Sequence, residues 1–220
     1  VRPPCSERKP LRTDCGWKDG HSGGSAQGKR SLADATEAVR KYVSPENEAF
    51  LKTQPPLDVM QAHYAMGQLY AYQGNMYLAV AQYEAAYCVA LSDIPAAVPM
   101  MEEALGVIHL HKSEMENDAY RIPGKKCLFP MRPADAYQKP YDSQEAVKFF
   151  LKYLSKKPDE IEVKWLLNLR YMTLGKYPAE VPQKYLIPPS TFDSPEDVGR
   201  FVDVASEAGL KSFAMAGGVA

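Results

Sequence analysis

The chain has 220 residues, 45% of them hydrophobic and 24% charged, with a formal net charge of −1. This is an ordinary globular composition, with no bulk charge to attract nucleic acid or an anionic membrane. No apolar run approaches the roughly 18 residues that read as a membrane span.

Residues 1–30 contain Pro3, Pro4, scattered basic residues and the run HSGGSAQGKR, without periodicity, and read as an arm or linker. Ser31, with Asp34 three positions on, reads as the N-cap of a first helix with an apolar stripe of Leu32, Ala35, Val39, Tyr42 and Val43. Ser44-Pro45-Glu46 starts a short second helix anchored by Phe50 and Leu51, and Pro55-Pro56 stops it.

The stretch Met60–Leu91, MQAHYAMGQLYAYQGNMYLAVAQYEAAYCVAL, carries the strongest pattern. Small residues at Gly67, Gly74, Ala79 and Ala86 alternate with aromatics at Tyr70 and Tyr83. This is the spacing of a tetratricopeptide repeat, in which two antiparallel helices approach closely at small side chains. The pattern predicts helices over 57–73 and 76–91, with Gly74 and Asn75 in the turn.

A second repeat opens near Ala96, with Leu105, Gly106 and His109 at first-helix spacing. Its second helix is displaced. Residues 112–142 read as an insertion, after which Asp142 and Glu145 form a capping pair, Ala146 and Phe150 take the crossing positions, and Pro158 closes the helix. On that helix Phe149, Phe150, Tyr153 and Leu154 are the apolar face.

A third first-helix runs from Ile161 to Leu174, with Leu167, Asn168 and Tyr171 in register and Gly175 at the turn. Pro178, Pro182, Pro188 and Pro189 exclude a regular partner helix, so YPAEVPQKYLIPPSTF is expected to run extended and cap the stack. Beyond it, Phe201–Val204 reads as a short strand and Gly209-Leu210 as a turn. The fold expected is all-α: a tetratricopeptide-like solenoid of antiparallel helix pairs over 31–192. The ends, Val1 and Gly217–Ala220, read as those of a piece of a longer protein.

Four cysteines, Cys5, Cys15, Cys88 and Cys127, fit two disulfides in any of three connectivities, of which Cys5–Cys15 with Cys88–Cys127 is the simplest; four reduced thiols is the alternative. No CxxC spacing points to zinc, haem or redox chemistry, and no metal or cofactor is expected. His109 and His111 diverge by about 200° on a helix and cannot chelate one ion; His109 reads as a satisfied core histidine. The run Glu114–Asp118 reads as a solvated helix end, and Glu102 and Glu103 lack a facing carboxylate for glycoside chemistry.

The segments WLLNLRYMTLGKYPAEVPQKYLIPPSTF (165–192) and FVDVASEAGLKSFAMAGGVA (201–220), with CLFP at 127–130, resemble the N-terminal region of bacterial proteins carrying FG-GAP (VCBS-type) repeats and an ASPIC/UnbV domain. The resemblance spans roughly 57–220. It implies an exported, cell-surface or periplasmic protein whose helical domain precedes a β-propeller, with 193–220 as linker and lead-in. It implies no enzymatic activity, and the calcium ligands of such propellers are not in this sequence.

First helices line the concave face of a repeat stack. The positions expected to face it are Gln61, Tyr64, Gln68, Tyr72, Glu162 and Trp165. Three readings follow. The first is a non-catalytic module that binds a protein, a peptide or a second copy of itself. The second is a glycan-binding surface protein in which Tyr64, Tyr72 and Trp165 stack on sugars. The third, a hydrolase or lyase with its site in the insertion, lacks an acid–base pair.

Overall fold

The computed structural model describes residues 26–121 and 129–193, with 196, 202, 204 and 207–209. Seven α-helices occur among them, with short 3-10 turns and no strand. They are α1 (Ala26–Tyr42), α2 (Glu48–Leu51), α3 (Pro56–Tyr72), α4 (Met76–Asp93), α5 (Val98–Glu116), α6 (Tyr141–Lys156) and α7 (Ile161–Thr173). Each packs on its neighbour: α1 on α3, α3 on α4, α4 on α5, α5 on α6 and α6 on α7. The fold is therefore all-α, an array of helix pairs as expected.

Several boundaries differ from the sequence reading. Helix α1 begins at Ala26, so 26–30 are helical and Ser31 lies inside the helix rather than at its cap. Gln27, Lys29 and Arg30 are good helix formers, and they carry the helix past Gly28. In α1 Thr36, not Ala35, is the buried residue; it accepts a hydrogen bond from the side-chain amide of Gln73, the residue that caps the end of α3, and donates to the Leu32 carbonyl. Phe50 is a poor anchor, half-exposed and edge-on to Tyr42. Pro55 and Pro56 do not merely end α2. Pro56 is the first residue of α3, where a missing N–H costs nothing.

The α3–α4 turn is built as its residues predict. Gly74 sits at φ +76°, the Asn75 N–H reaches back to the Tyr70 carbonyl at 2.9 Å, and the Asn75 side chain accepts from the Leu78 N–H at 3.3 Å. Gly175 closes α7 the same way at φ +69°, with Lys176 N–H on the Tyr171 carbonyl. Helix α5 closes likewise, but with Asp118 at φ +52° in the glycine's place and Ala119 N–H on the Glu114 carbonyl.

The expected insertion boundary at 112 is therefore wrong. Helix α5 continues to Glu116 because Lys112 and Ser113 are buried and bonded, so the extra turn is held by packing. The capping pair is also corrected. Helix α6 starts at Tyr141 without a side-chain cap, and Asp142 points to α5 instead.

The crossings follow one rule. A Cβ built on Gly67 of α3 would lie 2.9 Å from the Tyr83 ring of α4. On Gly106 of α5 it would lie closer still to the Phe150 ring of α6. Only a bare α-carbon admits these rings. Ala79, Ala86 and Ala146 are fully buried beside them. The glycine and its ring are 16 positions apart in the first pair and 44 in the second, so 28 residues are interposed.

In the third unit Asn168 occupies the glycine's register, and among the described residues a short 3-10 turn at Gln183–Tyr185, not an α-helix, lies over it. Its amide donates to the Tyr185 carbonyl at 2.8 Å and accepts from the Ile187 N–H at 3.0 Å. The proline-rich segment is thereby clipped across α7, aided by the Tyr185 hydroxyl on the Leu154 carbonyl and the Tyr177 hydroxyl on the Ile187 carbonyl. Asn117 clips the end of the insertion similarly, through both backbone groups of Lys139.

Of the strand expected at Phe201–Val204 only Val202 and Val204 are described, and neither is in a strand; Cys5, Cys15 and Cys127 lie outside the described residues, and Gly209 is in a turn at φ +73°. Pro158 follows α6, which ends at Lys156.

Two outcomes test this packing. Gly106→Ala is expected to destabilise by about 2–3 kcal/mol and Gly67→Ala by less, read from urea unfolding; Phe150→Leu in the Gly106→Ala background should recover part of the loss. Asn168→Ala should cost about 2 kcal/mol and open a new tryptic cut after Lys184, because two buried backbone groups lose their partner.

Candidate interaction groove

Helices α3 and α5, the first members of their pairs, both pack on α4. Between them lies an open groove of about 560 Å³. One wall is Tyr64, Gln68, Ala71 and Tyr72; the other is Met100, Glu103, Ala104, Val107, Ile108 and His111; Met76 and Tyr83 form the floor.

The centre is apolar and aromatic. Tyr64 meets the Tyr83 ring edge-to-face at 5.2 Å. Burial, then the neighbouring Tyr64 and Tyr72 hydroxyls, pushes Tyr83 up to about 12, so it stays neutral at any physiological pH. Tyr72 is 80% exposed and Met100 is 49% exposed, an unusual surface position for such side chains.

Of the six residues expected to face the groove, Tyr64, Gln68 and Tyr72 line it. Gln61 is exposed but not part of the lining. Trp165 does not line it either. Its ring packs against Phe129 of the insertion at 6.0 Å and Phe192 of the proline-rich segment at 5.7 Å. Glu162 is exposed on α7, outside the lining.

The α5 wall was overlooked, yet its register is legible. Gln61, Tyr64, Gln68 and Tyr72 stand at −6, −3, +1 and +5 from Gly67. The same offsets from Gly106 give Met100, Glu103, Val107 and His111, all four of which line the groove.

Three buried polar clusters hold α5 in place. In the first, Asp142 is 1% exposed, bonded to His109 Nδ1 at 2.7 Å and to the Lys112 ammonium; Lys112 also pairs with Glu116 at 3.0 Å and lies over the Tyr77 ring at 4.3 Å. Burial works against the Asp142 charge, but the hydrogen bonds from His109 and Lys112 outweigh it and hold the carboxyl below its usual 3.8. His109 is thus a core histidine stacked on Phe149, as expected, but only half satisfied: its Nε2 is buried without a hydrogen bond.

In the second cluster Arg170, 1% exposed, donates to Ser113 Oγ at 2.8 Å and to Glu114 at 3.1 Å. In the third, Glu102 is 2% exposed and takes both contacts from Lys156 at 2.6 Å. The run Glu114–Asp118 is therefore no solvated end. Glu114 and Glu116 are partners of Arg170, Lys112 and Tyr77.

His109 and His111 face different surroundings, as their spacing requires; His111 lies 3.6 Å from Glu114. Among the described residues no His, Cys, Asp and Glu group is arranged to hold a metal ion, and no helix is long and apolar enough to cross a membrane. Cys88 is disulfide-bonded.

Comparison with known proteins finds no matching family model, no similar curated protein and no similar solved structure.

Asp142 carries a pH signature. A carboxyl whose folded pKa is below its unfolded one contributes stability that is complete above the unfolded value and lost as pH falls toward the folded one. The wild-type chain should lose stability below about pH 4. Asp142→Asn should be flatter there, and about 2 kcal/mol less stable at pH 7, since Lys112 then keeps only the Glu116 carboxylate as its counter-ion. Urea midpoints measured from pH 3 to 7 check both.

Proposed function

We propose that this chain is a non-catalytic interaction module that binds a segment of another protein in the groove between α3 and α5. The observation that carries this reading is the pairing of exposed Tyr72 and Met100 across an apolar, tyrosine-floored channel. Large exposed side chains around a concave apolar surface are the features of a contact site rather than of ordinary surface.

The ends of the stack bear on the self-assembly form of the idea. Helix α1 covers α3 and turns Arg30, Asp34, Arg40 and Lys41 outward. The proline-rich segment covers α7 through the Asn168 clip. A polar or covered end disfavours stacking a further unit, which leaves the groove as the better surface. The sugar-stacking alternative loses its largest platform, since Trp165 is packed between Phe129 and Phe192.

The disulfide at Cys88 supports an extracellular, cell-surface or periplasmic setting, where such bonds persist. That setting agrees with the resemblance to the region that precedes the propeller in FG-GAP and ASPIC/UnbV proteins.

Panning a random dodecapeptide library on the whole chain, with counter-selection on the Tyr72→Ala/Met100→Ala variant, tests the reading. Both side chains are exposed, so the variant is expected to keep its fold. Peptides that bind wild type and lose about tenfold or more affinity for the variant are the expected result. Failure to enrich any such peptide sinks the reading. Binding of an oligosaccharide that depends on Tyr72 would replace it.

A further inference from the structure

The register positions that α3 turns to the groove are already covered on α7. Tyr64 and Tyr72 stand at −3 and +5 from Gly67, and the same offsets from Asn168 give Trp165 and Thr173. One stretch of the insertion, residues 129–137 (FPMRPADAY), lies on both. The Phe129 ring meets Trp165 edge-on at 6.0 Å, and the Tyr137 N–H donates to the Thr173 carbonyl at 2.8 Å. Between these two points Met131 is buried in one core cluster with Leu167 and Tyr171 of α7 and Leu110 of α5. The Pro133 carbonyl oxygen lies 3.5 Å from where a Cβ on Gly175 would stand, just past the end of α7. The stretch therefore runs in the same direction as α7, along about 12 Å of helix. Its backbone is non-helical apart from a 3-10 turn at Pro133–Asp135.

The groove between α3 and α5 presents the corresponding positions to solvent, with Tyr72 80% exposed. Besides its tyrosines, only Gln68, Glu103 and His111 bring polar side chains to the lining, so a chain lying there finds few acceptors for its amide hydrogens.

From this correspondence we infer that the groove takes a non-helical, proline-bearing segment of a partner protein, with an aromatic ring set over Tyr64 and its backbone running toward Tyr72. The inference rests on the groove being the binding surface. The ring supplies most of the affinity, by burial and by an edge contact of the kind Phe129 makes with Trp165. Proline has no N–H to leave unpaired against the apolar wall, and its fixed φ reduces the entropy lost on docking. Residues 129–137 thus serve as an internal example of the ligand, seated one unit further along the array.

The dodecapeptides selected on the whole chain decide the matter by their composition. Expected are groove-dependent binders with a proline and an aromatic residue within about four positions of each other, showing no gain of helix in far-UV circular dichroism when bound. Alanine in place of the peptide's aromatic residue should lower affinity about tenfold or more, and in place of its proline about two- to fivefold. Tyr64→Leu in the protein should lower the affinity of these peptides roughly two- to tenfold. Groove-dependent binders that lack proline, fold into a helix on binding, or ignore both alanine replacements overturn this inference and leave the groove reading intact. Absence of any groove-dependent binder overturns both. Should Tyr64→Leu fail to fold, the peptide replacements, made outside the protein, still decide.

Discussion

The architecture depends on an aromatic ring laid against a naked α-carbon. Tyr83 over Gly67 and Phe150 over Gly106 bring the paired helices to a spacing that no side-chain-bearing residue permits. Everything on the concave side inherits that spacing. Residues of α3 and α5 line one groove, and Tyr83 serves two purposes: its ring packs on Gly67 and it also lines the channel. A core contact and a binding surface are thus the same residue seen from two sides.

The buried charges answer a different need. Helix α5 contributes to both core clusters, to the groove and to three ionic contacts with α6 and α7, Lys112–Asp142, Glu102–Lys156 and Glu114–Arg170. Such pairs add little net stability over apolar packing, but they restrict which register is acceptable. Sliding α6 by one turn along α5 would strand Asp142 and Glu102 without cations, whereas the leucine and methionine contacts tolerate such a shift far better. Polar specificity of this kind suits a wall whose side chains must point into a groove.

Sequence reasoning read local rules well and tertiary ones poorly. Glycine spacing gave the helix pairs and the Gly74 and Gly175 turns, because these depend on backbone freedom within a few residues. It misplaced the end of α5, since the extra turn is held by Arg170 and Asp142, which lie 57 and 30 positions away from their partners Ser113 and Lys112. It assigned Asp142 to a cap for the same reason: a carboxylate in a first turn normally serves its own helix, and here a buried lysine and histidine compete successfully for it. The groove is half legible: Tyr64, Gln68 and Tyr72 are among the first-helix positions expected to face the concave side, and their offsets from Gly67, carried to Gly106, mark the α5 wall. Trp165 stands at a groove offset from Asn168, yet the insertion and the proline-rich segment cover it, and neither has a periodicity to announce where it will lie.

The 28 interposed residues have a kinetic meaning. Tyr83 finds Gly67 across a short hairpin, whereas Phe150 must return over a chain nearly three times as long to reach Gly106. Closing the longer loop costs only about 1 kcal/mol more in chain entropy, so the native state barely registers the difference. The order of assembly is expected to do so: local contact favours the α3–α4 hairpin forming first, with α5 waiting for α6 while its ionic partners are still hydrated.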